Sequence, residues 1–236
     1  MATASRSRCL FLEDAYLTRC AATVIGHAPD GGVVLDQTVF YANSGGQPGD
    51  IGTLGELAVI DCHKAEGETT PVHVLAEGSE LPAVGSALDA AIDAERRLRV
   101  MRMHTALHLV CAALQAPITG AQVGDGKGRI DLSLPDQGIN KAELQARLDA
   151  WIKDDQPVRA WWIDDVEFDA RPELVKSMSV SPPRGSGRVR LVEIDGVDLQ
   201  ACGGTHVAST GAIGGLQIAK IENKGRQNRR VNLVLV

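Results

Sequence analysis

No run in this 236-residue chain is long and apolar enough to span a bilayer, so no membrane helix is expected. Nor is a secretory leader expected, since the first eight residues are polar and only a short apolar patch follows. The five cysteines, Cys9, Cys20, Cys62, Cys111 and Cys202, are odd in number and lack paired spacing. That argues against a disulfide framework and for a reducing compartment, so a cytoplasmic protein is expected. No internal repeat, low-complexity segment or nucleotide-binding loop is visible. What remains is ordinary: 44% hydrophobic residues, enough for one large core or two modest ones.

The net charge of −6 disfavours a nucleic-acid partner until it is divided along the chain. Residues 1–90 carry 4 basic and 12 acidic side chains, whereas residues 91–236 carry 20 basic and 18 acidic. Within the second part, Lys220, Lys224, Arg226, Arg229 and Arg230 face Glu222 alone over residues 220–230. A second basic group, Arg96, Arg97, Arg99 and Arg102, precedes a histidine pair. Such clusters could hold phosphates, although solvated charge on an ordinary surface explains either one taken singly.

The division in charge is also one in pattern. Short stretches at 17–25, 32–35, 38–41, 57–61, 72–75 and 87–92 read as strands between turn-rich clusters, which predicts a small β-barrel or sandwich over 1–92. The loop at 43–50, with Gly45, Gly46, Pro48 and Gly49, permits unusual backbone angles. Residues 93–115 lack Gly and Pro and predict a long helix whose inward stripe is Leu98, Met101, Thr105, His108, Leu109 and Ala112, with His104 at its edge. A second helix is predicted from Lys141 to about Asp154, capped by Asn140 with Glu143 completing the box. Strands follow at 158–163, 188–194, 197–200, 216–221 and 231–236, with Asp195-Gly196 as a hairpin turn and 179–187 as a mobile loop. The expected fold class is α+β: the barrel, then over 93–236 an antiparallel sheet with two helices on one face.

Chemistry concentrates in that second part. His104 and His108 stand four positions apart on one helical face, which suits a single cation. About a hundred residues later, the run from Cys202 to His206 (CGGTH) offers a thiolate and an imidazole from a glycine-containing loop. Only six histidines exist and three fall in these two pairs. The set His104, His108, Cys202 and His206 suits zinc and suits calcium or magnesium poorly. Cys111, three residues after His108, is the competing thiol, and Cys202 is preferred for its paired spacing. Four protein ligands close a tetrahedral site, while three leave a catalytic position, and the count alone leaves both open.

These residues resemble the AlaX proteins, freestanding relatives of the editing domain of alanyl-tRNA synthetase. The resemblance covers almost the whole chain: residues 38–50 (TVFYANSGGQPGD), 104–108 (HTALH), Gln122 and Gly124 with Arg129 and Asp131, 197–207 (VDLQACGGTHV) and 221–230 (IENKGRQNRR). It implies a zinc-dependent hydrolase acting in trans on the acceptor end of mischarged tRNA(Ala), releasing serine or glycine, with one zinc ion and no nucleotide cofactor. It implies an N-terminal barrel beside the zinc domain, as in medium-length AlaX proteins. Two positions depart from the pattern: Leu107 stands where the family often has threonine, and Asp125 where it often has serine. Both positions are linked to the serine hydroxyl, so the resemblance carries hydrolysis further than serine selectivity. The candidate catalytic residues are Gln122 as a polar group in the pocket, Thr105 as a substitute reader of a substrate hydroxyl, and the backbone amides of Gly203, Gly204 and Thr205. The basic residues at 220–230 are the expected phosphate contacts. A non-catalytic tRNA-binding module with a structural zinc, or a hydrolase of another aminoacyl ester such as Thr-tRNA, would carry the same motifs.

Overall fold

The computed structural model describes residues 7–65, 69–134, 138–178 and 187–236. The chain divides into two compact units, Met1–Leu98 and Arg99–Val236. In the first, the strands are β1 (Arg8–Cys9), β2 (Arg19–His27), β3 (Val33–Leu35), β4 (Gln37–Thr38), β5 (Gly52–Leu54), β6 (Leu57–Lys64), β7 (Pro71–Leu75) and β8 (Ala87–Ile92). Six of them close a barrel in the order β2-β3-β7-β6-β5-β8, and β1 lies parallel to β4. Alternate residues, among them Val24, Val33, Leu35, Val59 and Ile92, fill the interior.

The expected strand at 38–41 survives only as Thr38. The segment that follows is buried chain whose amides are satisfied by side chains: Phe40 N donates to Thr38 Oγ1 (3.0 Å) and Tyr41 N to Asp50 Oδ2 (2.6 Å). The glycine-rich loop then turns tightly, Ser44 and Gln47 exchanging backbone hydrogen bonds across Gly45 and Gly46, which sit at φ of 59° and 83°. It ends on Asp50, buried against Arg97 in an ion pair. Arg97 also donates to the carbonyls of Ala15 (3.0 Å) and Val39 (2.7 Å). The members of the basic group before the histidines are each engaged within the protein. Arg96 donates to Gly49 O (2.9 Å), Arg99 pairs with Asp125, and Arg102 donates to Ile213 O (2.5 Å).

The second unit departs from the expected single sheet with two helices. After α1 (Ala94–Leu114) come β9 (Ile118–Val123), β10 (Lys127–Ser133), α2 (Lys141–Lys153), β11 (Val158–Asp164), α3 (Asp165–Asp169), β12 (Arg188–Ile194), β13 (Asp198–Ala201), β14 (Leu216–Lys224) and β15 (Asn228–Leu235). They build two antiparallel sheets, β14-β15-β10-β9 and β11-β12-β13. The β9–β10 hairpin was illegible because its outer face is polar and Gly120 and Gly128 interrupt the pattern. Gly128 is required: a Cβ there would lie 2.7 Å from the Met103 sulfur of α1. As expected, Asn140 caps α2, accepting from the amides of Ala142 (3.1 Å) and Glu143 (3.3 Å), and Asp195-Gly196 turns β12 into β13. The mobile loop expected at 179–187 lies, apart from Gly187, outside the described residues. Among the described residues no helix is long and apolar enough to cross a membrane.

α1 is not the one-sided amphipathic helix its sequence suggests. Leu98, placed on the inward stripe, is 41% exposed, whereas every residue from Met103 to Cys111 is buried. A helix buried all round is central and needs neighbours on more than one side. Met103 meets β10, and His108 meets β13.

His73 of β7 makes the first unit sensitive to acid. It is wholly buried, its Nδ1 2.8 Å from Val33 O and its Nε2 2.8 Å from the Thr38 hydroxyl. A carbonyl only accepts, so Nδ1 carries the proton and Nε2 accepts. Burial holds this imidazole down at about 4, against a smaller upward pull from the Val33 carbonyl. The folded pKa lies below the unfolded one of about 6.5, so the unfolded chain binds the extra proton first. The stabilisation is complete above about pH 6.5 and fades as the pH falls towards 4, a loss of about 2 kcal/mol by pH 5. Denaturant titrations at pH 7 and pH 5 should show a loss about 2 kcal/mol greater in the parent than in a His73→Asn variant.

Candidate metal centre

His104 and His108 project one turn apart from α1, and Cys202 and His206 follow the end of β13. One ligand atom from each lies within 4.8 Å of all the others, and the group could hold a metal ion. Cys202 Sγ is 3.3 Å from His206 Nε2 and 3.6 Å from His104 Nε2. The three rings crowd together, with centroids 4.2 Å (His104–His206), 4.5 Å (His108–His206) and 5.2 Å (His104–His108) apart. Cys111, the rival thiol, lies outside the group, and burial pushes it up to about 12, leaving it an inert packed thiol.

What stands behind the imidazoles fixes which nitrogen points inward. His108 Nδ1 lies 3.2 Å from Asp198 Oδ2, an oxygen that also accepts from the Gln200 amide at 2.6 Å. Gln200 Nε2 also lies 3.0 Å from Nδ1, but its hydrogen goes to the carboxylate, which only accepts; a proton on Nδ1 completes the bond to Asp198 and turns Nε2 towards the centre. His206 Nδ1 lies 3.1 Å from Thr105 Oγ1. That hydroxyl donates its own proton to Met101 O (3.1 Å) and accepts from Val207 N (3.3 Å), so His206 must donate to it. Thr105 is wholly buried with its hydrogen-bonding positions filled. The expected reader of a substrate hydroxyl therefore has no open position and instead orients a ring.

Charge follows the same arrangement. Burial alone would raise the Cys202 thiol, but the neighbouring His104 and His206 hold it well below the ordinary thiol value. Burial and His104 hold His206 well below the usual imidazole range. Burial would lower His108 too, but hydrogen bonds to Asp198 and Cys202 overcome this and raise it to about 9. The Cys202 thiolate and the neutral His206 are in the form that ligates, and a bound cation would have to displace the second proton of His108. The loop is held in shape by Arg190 of β12, whose Nη1 donates to the carbonyls of Cys202 and Gly204, 2.9 Å each. Of the three candidate donor amides, that of Gly204 is directed at Cys202 Sγ (3.4 Å). Gly203 is open, not tight: an added Cβ would meet nothing within 4 Å.

Two family models match the sequence. Threonyl and Alanyl tRNA synthetase second additional domain covers residues 189–232, and tRNA synthetases class II (A) covers residues 16–96. The alanyl-tRNA editing protein AlaX-M of Methanosarcina acetivorans is 35% identical over 96% of this chain and 98% of its own length. The chain belongs to the AlaX-M family. The Pyrococcus horikoshii AlaX-M protein is 31% identical over 97% of the chain and 98% of its own length. The alanine–tRNA ligase of Korarchaeum cryptofilum is 35% identical over 90% of the chain, which spans 24% of that larger protein.

In this AlaX-M chain, sequence reasoning missed Asp198, Gln200 and Arg190. The first two left a signal, because polar residues at 198, 200 and 202 alternate along a strand and so share the face that carries Cys202. Arg190 left none, since only strand register brings it to the loop. The remaining candidates lie on the four-stranded sheet: Gln122, Lys220, Lys224 and Arg230 on its outer face, Arg229 on the opposite face by register, and Arg226 in the turn between β14 and β15. Gln122 is exposed on β9, its Oε1 accepting from Arg129 Nε (3.2 Å), and it lines a groove of about 400 Å³ with Gly124, Lys127, Gly128, Arg129 and Asn232. None of the four clustered residues lines that groove. Arg230 is held by Asp131 through two bonds of 2.6 and 2.8 Å, and Arg229 donates to the carbonyls of Asn228 (3.1 Å) and Gly225 (3.4 Å). Lys220 and Lys224 flank Glu222 at 3.0 and 4.0 Å, and Arg226 is exposed at the hairpin turn.

Replacing His104 and His108 together by alanine should abolish metal binding, since α1 fixes half the set. Asp198→Leu removes both the charge and the acceptor behind His108 and should weaken metal affinity by about 10- to 100-fold, whereas Asp198→Asn, which keeps an acceptor, should weaken it less. Competition against a chromophoric chelator measures both, and equal affinity in all three Asp198 forms would exclude the orienting role.

Proposed function

We propose that this AlaX-M chain is a trans-acting hydrolase that deacylates mischarged tRNA(Ala), releasing serine or glycine, with zinc held by His104, His108, Cys202 and His206. The observation that carries the metal assignment is the donor set itself. Tetrahedral zinc places nitrogen at about 2.0 Å and sulfur at about 2.3 Å, hence about 3.5 Å from each other. The distances of 3.3 and 3.6 Å from Cys202 Sγ to the two imidazole nitrogens fit that edge. The substrate assignment rests on relatives named alanyl-tRNA editing proteins that match over nearly the full chain. An alanine pocket cannot reject glycine, or strongly exclude serine, by binding alone, so errors require a second site that hydrolyses them.

An aminoacyl ester is already activated, and the protein has chiefly to position it, place a water and stabilise the oxyanion. Zinc, when bound, supplies a Lewis acid for polarising the ester or its attacking water. Asp198 and Thr105 hold protons at Nδ1 of His108 and His206, so that both rings present Nε2 to the centre. Arg190 fixes the loop carbonyls, and the Gly203 amide is the proposed oxyanion donor. Gln122, its oxygen engaged by Arg129, presents its NH₂ group as a donor towards the substrate. Lys224, Arg226 and Arg229 would hold phosphates of the acceptor stem.

The four protein donors favour a second reading, because a closed tetrahedral set is what a structural zinc needs. A tRNA-binding module of that kind would bind acceptor stems and release no amino acid. Deacylation of Ser-tRNA(Ala), Gly-tRNA(Ala) and Thr-tRNA(Thr), each with and without a zinc chelator, decides between them. Release of serine and glycine, lost on chelation and restored by zinc, is expected; no release from any of the three would leave the binding module. In the same assay Gln122→Ala should lower the saturated rate by about 10- to 1,000-fold with zinc content unchanged.

The basic hairpin should act on affinity instead. Replacing Lys224, Arg226 and Arg229 by alanine should weaken tRNA binding and reduce the slope of log K against log salt by about 2 to 3, with the saturated rate nearly preserved. A collapsed saturated rate with an unchanged slope would assign these residues to folding or chemistry.

A further inference from the structure

The three-stranded sheet has two faces of different character. Odd-numbered residues Ile163, Val189 and Leu191 form a hydrophobic cluster with Phe168 and Leu174, against which Trp161, Leu199 and Ala201 pack. Even-numbered residues form the other face, which carries Asp198, Gln200 and Cys202 towards His108 and the rest of the proposed centre. Register places Trp162 on that same face: it pairs with Arg190, and the Cys202 amide bonds to the Arg190 carbonyl (3.1 Å) on the far side. Trp162, Arg190 and Cys202 thus form one row across the sheet. Two strand spacings separate its ends, about 10 Å.

Trp162 is 37% exposed on this face, unlike Trp161, which packs into the cluster behind the sheet. The Arg188 guanidinium lies over its ring at 4.6 Å from the centroid. A half-exposed indole carrying a guanidinium thus lies in the same row as Cys202 of the proposed centre. It has the composition of a base-stacking surface, in which aromatic and guanidinium planes receive the π-face of a nucleobase.

Resting on the proposed action on aminoacyl-tRNA, we infer that Trp162 and Arg188 are the stacking platform for the terminal adenine of the acceptor end. Stacking there would set how deeply the esterified ribose enters the row and so place the ester beside Cys202 and its neighbours. The platform reads no base edge. It therefore grips the end common to every tRNA and leaves amino-acid choice to the metal side.

The test uses an acceptor-stem RNA with serine joined through a non-hydrolysable amide to its terminal nucleotide, in two forms, with adenine and with the terminal base removed. The full chain with zinc bound should prefer the adenine form by about 5- to 100-fold. Trp162→Ala should abolish that preference, Trp162→Phe should keep most of it, and Arg188→Gln should reduce it, with zinc content unchanged in all three. A Trp162→Ala protein that retains zinc and the parent's full preference would overturn the platform alone. A parent chain that binds neither RNA would overturn the tRNA reading and the platform with it.

Discussion

The burial of α1 on all sides is the constraint on which the second unit depends. A helix enclosed from Met103 to Cys111 cannot leave two imidazoles and a threonine hydroxyl without partners, because each uncompensated polar group there costs about 1 to 3 kcal/mol. The fold answers with polar groups from another element. Asp198 and Gln200 of β13 meet His108, and the loop after β13 brings His206 to Thr105. Satisfying the buried helix and assembling the candidate centre are one event. A neutral ring with one nitrogen engaged must turn the other nitrogen inward.

The first unit solves a comparable problem with an ion pair. Its glycine-rich loop carries a carboxylate into the interior, and Arg97 meets it while also satisfying two backbone carbonyls. Removing either partner from such a pair leaves a buried charge, a loss of about 3 to 5 kcal/mol. The aspartate that closes the glycine-rich loop is thus a clamp on the chain that follows Thr38.

The four-stranded sheet offers the complementary lesson about charge. Five basic residues in eleven look like one phosphate-binding run, yet strand pairing distributes them differently. Arg230 belongs to Asp131, which burial would raise but which Arg230 and Arg129 hold below the usual carboxylate range; Arg230's hydrogen bond is the largest of these influences. Lys220 and Lys224 share Glu222. A carboxylate on the neighbouring strand cancels charge that no linear count can subtract.

The sequence by itself determined the local elements and the donor set. Spacing of four on a glycine-free stretch made His104 and His108 neighbours, and Cys202 and His206 announced themselves by the same spacing. Periodicity and turn residues also marked most barrel strands, the capped α2 and the Asp195-Gly196 turn, because these depend on interactions a few residues long. Tertiary structure decided everything that rests on register and enclosure: two sheets where one was expected, Leu98 outward, Thr105 behind a ring, and Arg97 in an ion pair. It also decided the row of Trp162, Arg190 and Cys202. Hydrogen bonding between strands sets such neighbours across dozens of residues, and no local pattern encodes which strand will lie beside which.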